Sequence, residues 1–189
     1  MLQLILASSS PRRKDLLSSA GFQFEVVSPD VDETPIKGEE PEAHAIRIAR
    51  LKADAVRAKH PDALVIAADT NVVRKKRILG KPVDSGDAIE TLKFLSGKVH
   101  EVLTGVAIIG PDTGCQWAVH TQVQFRELGS AEIEAYVATG EPMDKAGSYG
   151  IQGKGAHLVR GIEGSYTNVV GLPLAEVVET LQRVFGVGV

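Results

Sequence analysis

The sequence has little of what several large classes of protein need. Its 189 residues include one cysteine, one tryptophan and three tyrosines, and the formal net charge is only −3. A single cysteine cannot form an intrachain disulfide, which excludes a disulfide-stabilised scaffold. Scarce aromatic residues argue against a base-stacking platform, and the basic excess typical of polyanion-binding proteins is missing. We therefore expect no nucleic-acid partner.

Long apolar segments are missing as well. The longest stretch without Asp, Glu, Lys or Arg runs from Thr113 to Phe125, which is shorter than the roughly 18 apolar residues that a membrane-spanning helix needs. Arg12 and Arg13 follow the first apolar run, which is the reverse of the order in a secretory signal. These features predict a soluble cytoplasmic protein with no membrane partner.

Several common catalytic signatures are absent. The five histidines show no paired zinc-ligand spacing, and the sequence has no G-x-S-x-G nucleophile elbow. It has neither a Walker loop nor a Rossmann glycine fingerprint after its first strand. Cys115 lies in a predicted turn, residues 110–114 and their flank, without an obvious activating partner, so an inert thiol is expected.

Helical and strand patterns mix irregularly along the whole chain, with no repeat and no linker. Predicted strands cover residues 2–7, 22–28, 64–68, 99–109 and 116–126, with a hairpin from 72–73 and 78–79 around a basic turn at 74–77. Predicted helices cover residues 11–20, 42–59, 85–95, 130–139 (capped by Ser130) and 173–185. This order predicts one α/β domain over residues 1–189, with a mixed, curved sheet flanked by helices.

Two arginines stand where a helix usually prefers acids. Ser10 can cap the first helix and Pro11 fits its first position. Arg12 and Arg13 then fall in the first turn, where the free N–H groups and the helix dipole favour negative charge. A bound phosphate would offset that cost, held by backbone N–H groups, serine hydroxyls and guanidinium groups. The alternative is two solvated arginines.

Two more charged residues interrupt apolar patterns. Lys52 lies near the middle of the apolar face of helix 42–59, so it either snorkels to the surface or points toward an anion. Asp69 ends the apolar run 64–68, and ligands of α/β sheets favour the carboxyl ends of strands. Asp69 is therefore a candidate metal ligand or general base, the alternative being a carboxylate that caps the next turn. The role of Lys81, between Gly80 and Pro82, is ambiguous from the sequence pattern alone. A lysine in such a turn is usually solvated.

An acidic loop and a glycine-rich segment complete the candidate set. Glu33 lies in a proline-flanked loop and, with Asp69, can share Mg²⁺ or Mn²⁺, because both ions take carboxylate oxygens. An acidic loop can also be merely solvated. Segment 144–155 has glycines that permit close backbone approach, and its Gln152 carries a donor and an acceptor suited to a base edge. Together these residues suggest a metal-dependent nucleotide or phosphate-ester hydrolase.

Six blocks of the sequence, in this order, resemble the Maf family of nucleoside triphosphate pyrophosphatases. They are LASSSPRR (6–13), VDET (31–34), AADT (67–70), GKP (80–82), DKAGSYGIQG (144–153) and VGLP (170–173). The resemblance implies an elongated α/β fold related to the inosine triphosphate pyrophosphatases, with two lobes around a deep cleft. It also implies hydrolysis of a nucleoside triphosphate to the monophosphate and pyrophosphate with a divalent metal, Mg²⁺ or Mn²⁺.

The same resemblance implies roles for individual residues. Asp69 is similar to the proton acceptor that activates water, and Glu33 is similar to the family's metal-binding acid. The phosphate ligands that it implies are Ser8, Arg13, Lys52 and Lys81. Arg12, Thr70 and Gln152 resemble the subgroup that acts on dTTP and UTP, whereas the subgroup that acts on 7-methyl-GTP has Trp, Gln and Glu at these positions.

The oligomeric state, further substrates and the role of one basic turn are less clearly indicated by the sequence. The resemblance suggests a homodimer, and modified pyrimidine nucleotides are further candidate substrates. The basic turn 74–77 departs from the Asp/Gly turn expected for the family, and it either extends the anion-binding surface or is a solvated tip. The alternative function is a non-catalytic nucleotide sensor that regulates cell division or septum formation, a role associated with Maf relatives.

Overall fold

A computed structural model describes residues 2–188 and shows a mixed α/β fold. The strands are β1 (Leu4–Ala7), β2 (Glu25–Val27), β3 (Leu64–Arg74), β4 (Arg77–Leu79), β5 (Val99–Ile109), β6 (Gly114–Phe125) and β7 (Val159–Glu163). The helices are α1 (Pro11–Ser19), α2 (Pro41–Arg57), α3 (Ser85–Leu95), α4 (Ser130–Ala138), α5 (Tyr166–Val170) and α6 (Leu174–Phe185). Short 3₁₀ segments cover Glu141–Asp144, Ala146–Ser148 and Gly153–Leu158.

The strands pair in the order β2-β1-β3-β5-β6-β7, and β4 pairs with β3. β1 is parallel to both β2 and β3. The pairs β3–β4 and β6–β7 are antiparallel. The predicted mixed sheet is therefore confirmed.

The chain divides into two compact units. One comprises the segment up to Asp69, Thr104–Val119 and the segment from Gly171 onward. The other comprises Thr70–Leu103 and His120–Val170. We call them the first and second units.

In the first unit, both faces of β1 and of the start of β3 are covered. Side chains that alternate along the strands pack into two separate clusters, as the pleat requires. One cluster includes Leu4, Leu6, Leu64, Ile66, Leu17, Val177 and Leu181. The other includes Ile5, Ala7, Val65, Ala67, Ala49, Ala53 and Val56. Burial of both faces explains why residues 64–68 form a continuous apolar run.

The second unit has its own core. Its buried side chains include Leu92, Leu95, Phe125, Ile133 and Leu158. Ring contacts join Phe125, His100 and Tyr149 in edge-to-face pairs, with centroids 4.7 to 5.4 Å apart. Aromatic pairs of this geometry add to the stabilisation from buried area.

Three predictions about local structure were wrong. Asp69 does not end a strand, because β3 continues through it to Arg74 and pairs there with β4. Ser130 is the first residue of α4 and not its cap; Gly129 takes the extended N-cap conformation instead. Cys115 lies within β6 and not in a turn. Burial raises the pKa of its thiol, in agreement with the expected inert cysteine.

The basic turn between β3 and β4 has an unusual backbone. Its two central residues, Lys75 and Lys76, have φ of 51° and 62°. A two-residue hairpin loop of this kind favours Asn-Gly, because left-handed φ places the Cβ of other L-residues too close to the following carbonyl oxygen. The backbone of the turn has the geometry of a common two-residue hairpin loop, but lysine is an unfavourable residue at both of its central positions.

We expect the double variant Lys75→Asn/Lys76→Gly to be more stable than the natural chain. Relief of two left-handed lysines should raise the free energy of unfolding by about 1–2 kcal/mol, measured by urea denaturation. Lys37→Asn, an exposed lysine outside the positive-φ set, is the control and should leave stability unchanged. A double variant that is less stable than the natural chain would contradict this account.

Candidate active site

Ser8 and Arg13 belong to one hydrogen-bonded group in the first unit. Ser8 is 3% exposed, and its hydroxyl accepts the N–H of Ser10 at 3.1 Å and Nη1 of Arg13 at 3.5 Å. Arg13 Nε donates to the carbonyl oxygen of Gly171 at 2.7 Å. Ser10 caps α1 by accepting the N–H of Arg13. The guanidinium of Arg13 is thus folded back over the start of its own helix.

The two predicted acids act on Arg13 electrostatically. The pKa of Arg13 lies below its ordinary value, mainly because the side chain is buried. The Asp69 carboxylate raises this pKa, the Arg12 guanidinium lowers it, and the Glu33 carboxylate raises it. A guanidinium stays charged in any case. The positive group at the start of α1 therefore shares one local field with both candidate metal-binding acids.

Lys52 connects the two acids directly. Its Nζ donates to Asp69 Oδ1 at 2.8 Å and to Glu33 Oε2 at 3.0 Å. Lys52 is 7% exposed and Asp69 8%, whereas the Glu33 side chain is more than half exposed. Lys52 therefore does not snorkel to solvent. Because a buried ammonium is costly unless it is paired, these two carboxylates are what allow it on an apolar helix face. We call Glu33, Lys52 and Asp69 the lysine–acid cluster.

The loop that carries Glu33 is tied to α2. Arg47 on α2 donates to the carbonyl oxygen of Thr34 at 3.2 Å and makes two hydrogen bonds to the Glu39 carboxylate, at 2.6 and 2.8 Å. The bonds from Arg47 are the main cause that lowers the pKa of Glu39 to about 2. Within the loop, the N–H of Thr34 donates to the carboxylate of Asp32 at 2.9 Å. Nothing in the sequence pattern points to Glu39 and Arg47, because their pairing depends on how the loop turns back along α2.

The lysine–acid cluster has the carboxylates to bind a divalent cation whose remaining ligands come from substrate and water. Among residues 2–188, no group of three or more Asp, Glu, His or Cys side chains is placed to enclose a metal ion. Two carboxylates from Glu33 and Asp69 already converge on one positive charge, the Lys52 ammonium. Mg²⁺ is commonly held by one or two carboxylates together with water and substrate phosphates. The residues present match that pattern.

The other predicted site residues belong to the second unit. Thr70 is half-buried, whereas Lys81 and Gln152 are exposed. The N–H of Gly147 donates to the carbonyl oxygen of Gly80 at 3.1 Å. The blocks 80–82 and 144–153, which were predicted separately, are therefore adjacent.

Comparison with known proteins decides the family. A model of the family described as "Maf-like protein" matches residues 3–184. The chain belongs to the Maf family. Among its Maf relatives, a "dTTP/UTP pyrophosphatase" of Geotalea uraniireducens is 55% identical over 95% of this chain and 94% of its own. The "dTTP/UTP pyrophosphatase" of Geobacter sulfurreducens is 52% identical over 96% of each chain.

A solved structure supports the fold of this Maf protein. The Staphylococcus aureus Ham1 protein matches with a TM-score of 0.51 and 16% identity, over 83% of this chain and 79% of that one. The likeness at this identity is one of fold alone, and it agrees with the mixed α/β architecture that the sequence predicted. Within residues 2–188, no helix is both long enough and apolar enough to cross a membrane.

Proposed function

We propose that this Maf protein is a nucleoside triphosphate pyrophosphatase that hydrolyses dTTP and UTP to the monophosphate and pyrophosphate. The observation that carries the proposal is the lysine–acid cluster, in which a buried lysine holds two carboxylates beside the Ser8–Arg13 group. Relatives with 55% and 52% identity that bear the name dTTP/UTP pyrophosphatase support the choice of substrate. We place the reaction in the cytoplasm, where these nucleotides are made and used.

In this proposal the positive groups of the first unit bind the triphosphate. Arg13 and Lys52 neutralise phosphate charge, and the Ser8 hydroxyl adds a short polar contact. Arg13 is held by Gly171 and Ser8, so it is oriented before substrate arrives. Preorganised charge of this kind costs no rearrangement during the reaction, which is how phosphoryl-transfer sites gain most of their rate.

Asp69 is the proposed proton acceptor. Its carboxylate takes a proton from the attacking water, while the water oxygen forms a bond to phosphorus and pyrophosphate leaves. Lys52 fixes the position of the Asp69 carboxylate through the 2.8 Å bond. A general base must be held within hydrogen-bond reach of its proton, and a buried ion pair provides that restraint.

Glu33 and Asp69 would hold the divalent cation, Mg²⁺ or Mn²⁺. Such an ion supplies charge neutralisation for the phosphates and lowers the pKa of a bound water. The hard carboxylate oxygens of the cluster suit both ions.

Substrate selectivity is assigned to residues that match the pyrimidine subgroup. Gln152 would pair with the uracil or thymine edge through its amide, since a neutral amide both donates and accepts. Arg12 and Thr70 would contribute to the same selectivity, and Lys81 would bind phosphate. The homodimer that the resemblance implies stays a prediction, for which light scattering after size exclusion is the test.

A panel of nucleotides tests the proposal. Purified protein with Mg²⁺ or Mn²⁺ should release pyrophosphate from dTTP and UTP with a kcat/KM at least about tenfold above that for 7-methyl-GTP, and EDTA should abolish release. Tight binding of UTP without hydrolysis would instead favour the nucleotide-sensing regulator. Turnover that survives EDTA would contradict the metal assignment.

A further inference from the structure

One carboxylate in the second unit holds the segment that contains Gln152. We call residues 150–155 the glutamine loop. The Glu141 side chain accepts the N–H of Lys154 through Oε2 and the N–H of Gly155 through Oε1, both at 2.9 Å. The N-terminal N–H groups of a 3₁₀ segment have no partner within the segment. Glu141 therefore satisfies two of them from outside.

A tyrosine extends the same contact to the other end of the loop. The Tyr136 hydroxyl donates to Glu141 Oε1 at 3.0 Å and accepts the N–H of Gly150 at 3.2 Å. Tyr136 is 3% exposed and sits on α4, within the core of the second unit. The loop is thus fixed at Gly150 and at Gly155 by two side chains that contact each other.

The packing leaves no room for a side chain at two glycines of the loop. A Cβ on Gly155 would lie 2.5 Å from both the Gly150 carbonyl oxygen and the Tyr136 hydroxyl. Gly153 has a left-handed φ of 70°, and a Cβ there would lie 2.8 Å from Glu141 Oε2. Glycine is needed at both positions for the backbone to approach Glu141 and Tyr136 this closely. We call these two side chains the clamp.

The charge of Glu141 strengthens these bonds. Burial raises the pKa of Glu141, but the hydrogen bonds from Lys154, Gly155 and Tyr136 lower it, and the balance is a pKa below the ordinary value. An ionised acceptor makes shorter and stronger hydrogen bonds than a neutral one. Lys145 donates to the backbone carbonyl oxygen of Glu141 at 2.6 Å and so restrains the residue itself.

We propose that Glu141, with Tyr136, is a positioning residue that fixes the glutamine loop so that Gln152 can discriminate the base. The inference rests on the proposed function, because it assigns Gln152 to base recognition. Neither residue contacts the substrate in this proposal. A loop that is ordered before binding spares the ordering cost on association, which improves affinity and discrimination without changing the chemical step.

Glu141→Gln is the sharpest probe of the clamp. It keeps the size of the side chain but replaces one acceptor oxygen with an amide that donates, so one backbone N–H of the loop meets a donor. UTP and CTP differ only at the base edge. We expect the ratio of kcat/KM for UTP to that for CTP to fall about tenfold. The fall should come from a higher KM for UTP, while kcat for UTP should stay within about twofold of the natural value. Glu134→Gln, an exposed glutamate on α4, is the matched control and should leave the ratio unchanged.

A second variant and a second readout keep the test decisive. Tyr136→Phe preserves the ring and removes only the hydroxyl, so it should fold and lower the same ratio in the same direction, by about threefold. Hydrogen exchange should show the amides of Gly150, Lys154 and Gly155 protected in the natural chain and faster in Glu141→Gln. The proposed role of the clamp would be overturned by unchanged amide exchange rates or by an unchanged UTP/CTP ratio of kcat/KM. It would also be overturned if kcat for UTP fell while KM stayed constant. If the natural protein hydrolyses no nucleotide, the proposed function fails instead, whatever the exchange rates show.

Discussion

Asp69→Asn should reduce kcat for UTP by about 10²–10⁴, the usual contribution of a positioned general base. The amide has nearly the same shape as the carboxylate and can still accept from Lys52, so the fold should persist. Lys52 also keeps its 3.0 Å bond to Glu33. At saturating Mg²⁺ or Mn²⁺, the loss should therefore appear in turnover, measured as pyrophosphate release. The Kd for UTP, measured by calorimetry under the same conditions, should change by less than about tenfold.

Asp54→Asn is the matched control for this loss. Asp54 is also an ion-paired aspartate of the first unit, bonded to Arg50 at 2.7 Å, but both side chains are almost half exposed. Its removal should cost less than about 0.5 kcal/mol of stability and leave turnover unchanged. Full turnover in Asp69→Asn would show that another group accepts the proton. An equal loss in Asp54→Asn would point to a general effect of charge.

Stability should fall as the pH decreases from 6.5 toward 4, because of one buried histidine. His100 is 3% exposed and its Nε2 pairs with the Tyr149 hydroxyl at 2.8 Å. Burial, and then the nearby Arg74, lower the pKa of His100 from 6.5 to about 4. Below pH 6.5 the unfolded chain binds a proton that the folded protein does not bind, so unfolding is favoured until His100 itself protonates near pH 4. The full difference corresponds to about 3 kcal/mol.

His100→Gln separates this effect from other titrations. Glutamine places an amide near the position of Nε2 and carries no charge in this range. The free energy of unfolding from urea denaturation, measured at pH 7.5, 6, 5 and 4.5, should fall less steeply in His100→Gln than in the natural chain. His60→Gln should follow the natural curve. Parallel curves for His100→Gln and the natural chain would rule out the buried neutral histidine as the cause.

Much of the first unit could be predicted, because its site residues break local rules. A lysine on an apolar helix face, an aspartate after a buried run and arginines in a first helical turn each needed a partner, and the structure joins Lys52 to Asp69 at 2.8 Å. Helical periodicity located α2, and a continuous apolar run located the core of β3, whose two faces are both buried. The family resemblance was confirmed over residues 3–184.

The second unit was harder to predict, because its site depends on irregular backbone. Segment 141–158 folds as three short 3₁₀ segments around positive-φ residues, and no hydrophobic period marks such structure. β7 and α5 were missed altogether. Glu141 gave no signal, since a glutamate in a glycine- and proline-rich stretch has the composition of a solvated loop. Its role follows only from the backbone N–H groups that the fold brings to it.

The most direct test of the central claim is ³¹P NMR of UTP incubated with the purified protein and Mg²⁺ or Mn²⁺. The lysine–acid cluster predicts that the triphosphate signals are replaced by those of UMP and pyrophosphate in equal amounts. Signals of UDP and orthophosphate, or UTP that stays intact under conditions in which it binds, would contradict the assignment of this cluster as a pyrophosphatase site.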